Sequence, residues 1–141
     1  MTTITPTPEQ AQAFMGRAND TPVAMVNLLK FKETATYEAG TPEAAENLTG
    51  WEAYQRYGAA VAGLLSDIGA KTLYAGPVND MMIGEGDWDM VAIVEYKNRA
   101  SMMQMGTSEA YQAIHYHREA GLAHQLLIDT TSLPLPDIGS L

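Results

Sequence analysis

Asn27 is a lone polar amide in the middle of an apolar run, with Met25 before it and Leu29 after it at strand spacing. An amide in such a place needs partners, because a buried polar group left unpaired costs about 1–3 kcal/mol. It is either a structural hydrogen-bonding post or a donor and acceptor aimed into a pocket. His115 and Arg118 follow on a predicted helix. An imidazole can move a proton, and a guanidinium can hold a carboxylate by a two-pronged fork. Tyr54, Tyr74 and Trp88 lie on or beside predicted elements. Aromatics there are ordinary core material. Grouped with Asn27 they would wall a cavity suited to a flat organic ligand. In a catalytic version His115 handles protons, Asn27 steadies developing oxygen charge and Arg118 fixes an acidic group.

Other groups carry less. His115 and His117 point about 200° apart on a helix, so with His124 they do not form a metal set. Asp89 and Glu95 are about 20 Å apart along a strand, too far to work as a pair; a salt bridge to Lys30 or Lys32 explains them better. Gly84-Glu85-Gly86-Asp87 precedes a strand rather than a helix and lacks the lysine and serine of a phosphate loop. No metal and no cofactor is expected.

Composition narrows the classes. The chain has 141 residues, 17 acidic and 8 basic side chains, a net charge of −9 and no cysteine. Thiol catalysis, disulfides and zinc–thiolate sites are excluded. The acidity argues against a nucleic-acid partner, which needs clustered Lys and Arg. No apolar run reaches the length of about 18 residues that a membrane span needs, and the first residues do not read as a signal peptide. A cytoplasmic protein with no membrane partner is expected.

The elements that must position these residues can be read from spacing. Thr7-Pro8-Glu9-Gln10 is a helix start, with a helix running toward Ala18 and ending at Asn19–Pro22. Pro22 to Lys32 is a strand apolar on both faces. Glu33 to Leu48 is a long loop with a helical turn near Pro42. Thr49-Gly50-Trp51-Glu52 is a capping box opening a helix whose stripe is Trp51, Tyr54, Tyr57, Val61, Leu64, Leu65 and Ile68, stopped by Gly69. Lys71–Val78 and Trp88–Tyr96 are strands of a hairpin. Asn98–Met105 is a short helix, and Thr107 or Ser108 caps the next one, which ends at Gly121. Leu122–Asp129 is the last strand. After an extra N-terminal helix the order is β-α-β-β-α-β, the ferredoxin-like α+β arrangement with a four-stranded antiparallel sheet. A single domain is expected, with a core over about 22–129 and an extended tail over 130–141.

Helices can cover only one face of that sheet. The strands carrying Val26, Leu28, Val91 and Ile93 are apolar on the other face too, and monomers rarely leave such a patch wet. A homodimer packed through sheet faces is therefore expected.

Particular residues also carry a family likeness. Val23-Ala24-Met25-Val26-Asn27-Leu28-Leu29-Lys30-Phe31-Lys32, Trp88-Asp89 with Val94-Glu95-Tyr96, Ser108-Glu109-Ala110-Tyr111-Gln112-Ala113-Ile114 and His117-Arg118-Glu119-Ala120-Gly121-Leu122 together resemble motifs of the DUF 1330 family, a domain of unknown function. That family lies in the dimeric α/β-barrel superfamily. Glu109 and Ala110 depart from its usual proline and glutamate. The resemblance implies the fold and the dimer, and no settled activity. The reading is a small-molecule-binding dimeric α/β-barrel protein or cofactor-independent enzyme acting on a small organic or aromatic acid. The alternative is a non-catalytic dimeric module with no substrate.

Overall fold

The computed structural model describes residues 3–133. The first helix, α1 (Pro8–Met15), has the full reciprocal cap: the Gln10 N–H donates to Thr7 Oγ1, and the Thr7 N–H donates to Gln10 Oε1. It stops at Gly16, earlier than the sequence pattern suggests, so Ala18 lies beyond it. None of its residues is fully buried. Four strands follow as β1 (Val23–Phe31), β2 (Lys71–Pro77), β3 (Met90–Tyr96) and β4 (Leu122–Thr130). They form one antiparallel sheet in the order β2-β3-β1-β4. The helices α2 (Gly50–Asp67), α3 (Arg99–Thr107) and α4 (Glu109–Gly121) complete the ferredoxin-like α+β fold. The tail expected over 130–141 lies outside the described residues from 134 onward.

Alternation along β1 decides the two faces. Val23, Met25 and Leu29 are buried, and the first two pack with Val61, Tyr96 and Met105 under the helices. Val26 and Leu28 point the other way, opposite Ile93 and Val91 on one side and Ile128 and Leu126 on the other. Ile128 is 44% exposed and Leu126 42%. The second face is therefore apolar and uncovered in the single chain.

Two glycines bring β1, α2 and α4 together. The Gly50 N–H donates to the Lys32 carbonyl at 3.0 Å, and the Lys32 N–H donates to the Gly121 carbonyl at 2.8 Å. A Cβ on Gly50 would lie 2.1 Å from the Lys32 carbonyl oxygen, and one on Gly121 2.5 Å from that of Gly50. Only a bare backbone fits at this crossing. It sets the last turn of α4 beside the first turn of α2.

The loop 33–48 is tied to α4 rather than lying over the sheet. Tyr37 Oη lies 2.7 Å from His117 Nδ1, and Tyr116 donates to Glu43 at 2.7 Å. Its one regular piece is a 3-10 turn over Pro42–Ala45. The N-terminal segment instead follows β4. The Gln125 N–H donates to the Thr3 carbonyl at 2.9 Å, and the Thr3 N–H donates to His124 Nδ1 at 3.2 Å. At its other end Arg99 donates to the Ala18 carbonyl at 2.6 Å, and the Ala100 N–H donates to Asn19 Oδ1 at 2.8 Å.

Candidate functional site

Asn27 faces the helices, where β1 parity puts it. Its amide donates to the carbonyls of Ala92 at 3.2 Å and Met25 at 3.3 Å. Its oxygen accepts from Gln125 Nε2 at 2.8 Å. The Gln125 oxygen in turn accepts from Arg118, which also donates to the Ile4 carbonyl. Arg118 Nη1 lies 3.5 Å from His115 Nε2, and His115 Nδ1 lies 2.9 Å from Glu119 Oε1. An arginine N–H can only donate, so His115 Nε2 faces it as an acceptor. That places the imidazole proton on Nδ1, toward Glu119. Asn27, His115 and Arg118 thus share one polar network with Gln125 at its centre. Gln125 was not singled out from sequence. Its signal was the same as that of Asn27: an amide in an apolar strand.

Tyr54 stands near Arg118 with no hydrogen bond into this network among the described residues. Its ring packs 5.2 Å from Phe31 and 5.3 Å from Tyr57. Burial pushes its hydroxyl up to about 12, against a smaller opposing pull from Arg118. Burial likewise pushes Tyr96 up to about 12 and raises Tyr57, whose hydroxyl lies 2.9 Å from that of Tyr111. These phenols remain protonated at neutral pH and present donors, not anions. Trp51, expected in the core stripe, is 43% exposed and packs on Phe31.

Two expected members stand elsewhere. Tyr74 pairs with Ile93 and so lies on the uncovered sheet face, 57% exposed. A bulge between Thr72 and Tyr74 reverses the alternation of β2 and turns Tyr74 away from Thr72's side. Trp88 stacks on His124, with ring centroids 4.9 Å apart and planes 17° apart. His124 pairs with Lys30, again on the uncovered side. Beside it Asp89 closes an irregularity. The β1–β4 register shifts between Lys30 and Phe31, and Asp89 Oδ2 accepts the Phe31 N–H at 2.8 Å. Neither Tyr74 nor Trp88 joins the Asn27 network, and of the six expected site residues only Arg118 lines the cleft on which that network opens.

The network opens on a cleft of about 430 Å³ between the N-terminal segment, α3 and β4. Arg118 and Gln125 form its polar end. Phe14, Met25, Met103 and Leu127 line its body. Arg118 differs from the other arginines. Arg17 and Arg99 meet Asp129, and Arg56 meets Glu46. Arg118 meets no carboxylate among the described residues. A half-buried guanidinium with spare donors beside an apolar hollow can hold an anion, above all a carboxylate.

Comparisons with known proteins agree with the fold and stop there. Residues 44–130 match the family described as a domain of unknown function, DUF1330, and the chain belongs to that family. A protein of unknown function from Rhodopseudomonas palustris is 29% identical in its crystal structure, with a TM-score of 0.84 over 95% of this chain and 99% of that one. A methylated form of the same protein gives 29% identity and a TM-score of 0.86, over 96% and 98%. A protein from Arabidopsis thaliana, 16% identical, has a TM-score of 0.52 over 80% and 97%, a likeness of fold alone. No curated protein matches the chain. No helix among the described residues is long and apolar enough to cross a membrane.

Proposed function

We propose that the protein is a small-molecule-binding homodimer whose ligand is a small organic or aromatic acid, held by its carboxylate at Arg118. The observation that carries this reading is the guanidinium that meets no acidic side chain among the described residues, at the polar end of a cleft of about 430 Å³. In a protein of net charge −9, carboxylates are plentiful, yet none of those described meets this arginine. The Gln125 amide and the Asn27 behind it set its orientation. If the protein is also a catalyst, His115 is the base. The Glu119 carboxylate fixes its tautomer, and Nε2 lies on the Arg118 side, where a bound acid would be.

A second reading has one observation in its favour. Every polar atom of the Asn27 side chain already has a partner, as in a hydrogen-bonding post with no ligand. Calorimetric titration with benzoate, butyrate and their uncharged amides separates the two. Saturable binding of the acids only, abolished in Arg118→Gln, supports the ligand site. Acids that fail to bind the wild type leave the structural module standing.

The uncovered sheet face is assigned to a second copy. Val26, Leu28, Ile93, Leu126 and Ile128 form one apolar patch on it. A sheet-on-sheet contact about 10 Å thick would bury them.

A further inference from the structure

We infer that the ligand of this cleft is an unbranched aliphatic carboxylic acid of medium chain length, lying along β4 with its carboxylate at Arg118; this rests on the acid-binding reading above. The two ends of the cleft differ in chemistry. On the helix-facing side of β4 the residues are Gln125, Leu127 and Asp129, in alternating positions. At about 3.3 Å per residue the first and last are about 13 Å apart. Gln125 and Arg118 mark one end, where spare N–H donors await an anion. Asp129 marks the other, and its charge is already taken. Both its oxygens accept from Arg99 at 2.9 Å, and Arg17 stands 3.8 Å away. Arg17 also lines that end of the cleft, so the anchor with spare donors and no carboxylate beside it among the described residues is Arg118.

The body between the ends is apolar and adaptable. Phe14, Met25, Met102, Met103 and Leu127 line it. Unbranched thioether chains fill irregular gaps and re-pack around flexible partners. A rigid two-ring acid needs a flat slot, whereas these walls conform to a hydrocarbon chain. The length also fits. A carboxylate at Arg118 leaves room along the strand for a chain of the octanoate class before Asp129 ends the path.

The test is a series of straight-chain acids from butyrate to decanoate, titrated calorimetrically into the full chain. The outcome expected is a gain of about fourfold in affinity per added methylene, levelling off near octanoate. Octanamide should bind more weakly than octanoate in the wild type and equally in Arg118→Gln. Leu127→Asn supplies the control, since Leu127 is 46% exposed and its change leaves the core intact. That variant should flatten the gain with length, and an unchanged melting curve would show that the loss is not one of folding. Acids that bind with affinity independent of length overturn the chain-length assignment while leaving the acid site in place. No binding of any acid overturns both.

Discussion

Gln125 gives its amide N–H to Asn27 at 2.8 Å and takes one from Arg118, so a strand amide and a helix cation are joined through a single side chain. Removing Asn27 therefore strands Gln125 and frees Arg118. Asn27→Leu is expected to lower the unfolding free energy by about 1–3 kcal/mol, read from urea denaturation. Replacing both amides removes donor and acceptor together, so Asn27→Leu with Gln125→Leu should lose less than the two single losses added. Additive losses would show that the pair is uncoupled.

The glycine crossing makes a sharper claim. Gly121→Ala pushes a methyl to within 2.5 Å of the Gly50 carbonyl oxygen and 3.1 Å of the Tyr54 nitrogen. Neither is the yielding end of a side chain. Overpacking of this kind costs about 1–3 kcal/mol or more, and α4 must shift away from α2. The melting temperature should fall by several degrees, and the Tyr57–Tyr111 hydroxyl pair should separate. An unchanged melting temperature is the outcome against it.

Acid stability has an identifiable source in Asp129. The Arg99 guanidinium, only 8% exposed, holds its carboxyl below the usual carboxylate value. In the unfolded chain that group returns to about 3.9. Its contribution is thus fully present above the unfolded value and is lost as pH falls through the lower, folded one. Asp129→Asn should be less stable than the wild type at pH 7, and the gap should narrow below about pH 4. A gap that stays constant through the acid range would assign the stability to something other than this ion pair.

Assembly is checked most simply by sedimentation. A dimer is expected at micromolar concentration. Ile128→Lys places a charge on the uncovered face, on its edge strand β4, at a side chain 44% exposed in the single chain. It should give a folded monomer with an unchanged circular dichroism spectrum. A wild-type monomer removes the second copy from the account of that face.

Much of this architecture could be read from local chemistry. The capping boxes at Thr7/Gln10 and Thr49/Glu52 signal their helices within a few residues and form as expected. The stop at Gly69 appears with a φ of +72°, which a glycine adopts without strain. Asn27, His115 and Arg118 do come together, because strand and helix periodicity place each on a known side. Tyr74 and Trp88 escaped for the opposite reason. The bulge before Tyr74 breaks the alternation on which face assignment depends, and a bulge leaves no clear trace in a residue pattern. Trp88 follows His124, a neighbour only once β4 has joined the sheet. The wall formed by Thr3–Pro6 was equally hidden, since backbone bonds to β4 hold it there.

Segment 3–19 is fastened at its two ends. Near Ala18 and Asn19 it is pinned through the buried Arg99 and the start of α3. Near Thr3 it is held by bonds to His124 and Gln125 at the rim of the sheet and by the half-buried Arg118, which donates to the Ile4 carbonyl. The segment is thus a strap and not a flap, and the roof of the hollow beneath it hangs between two fixed points.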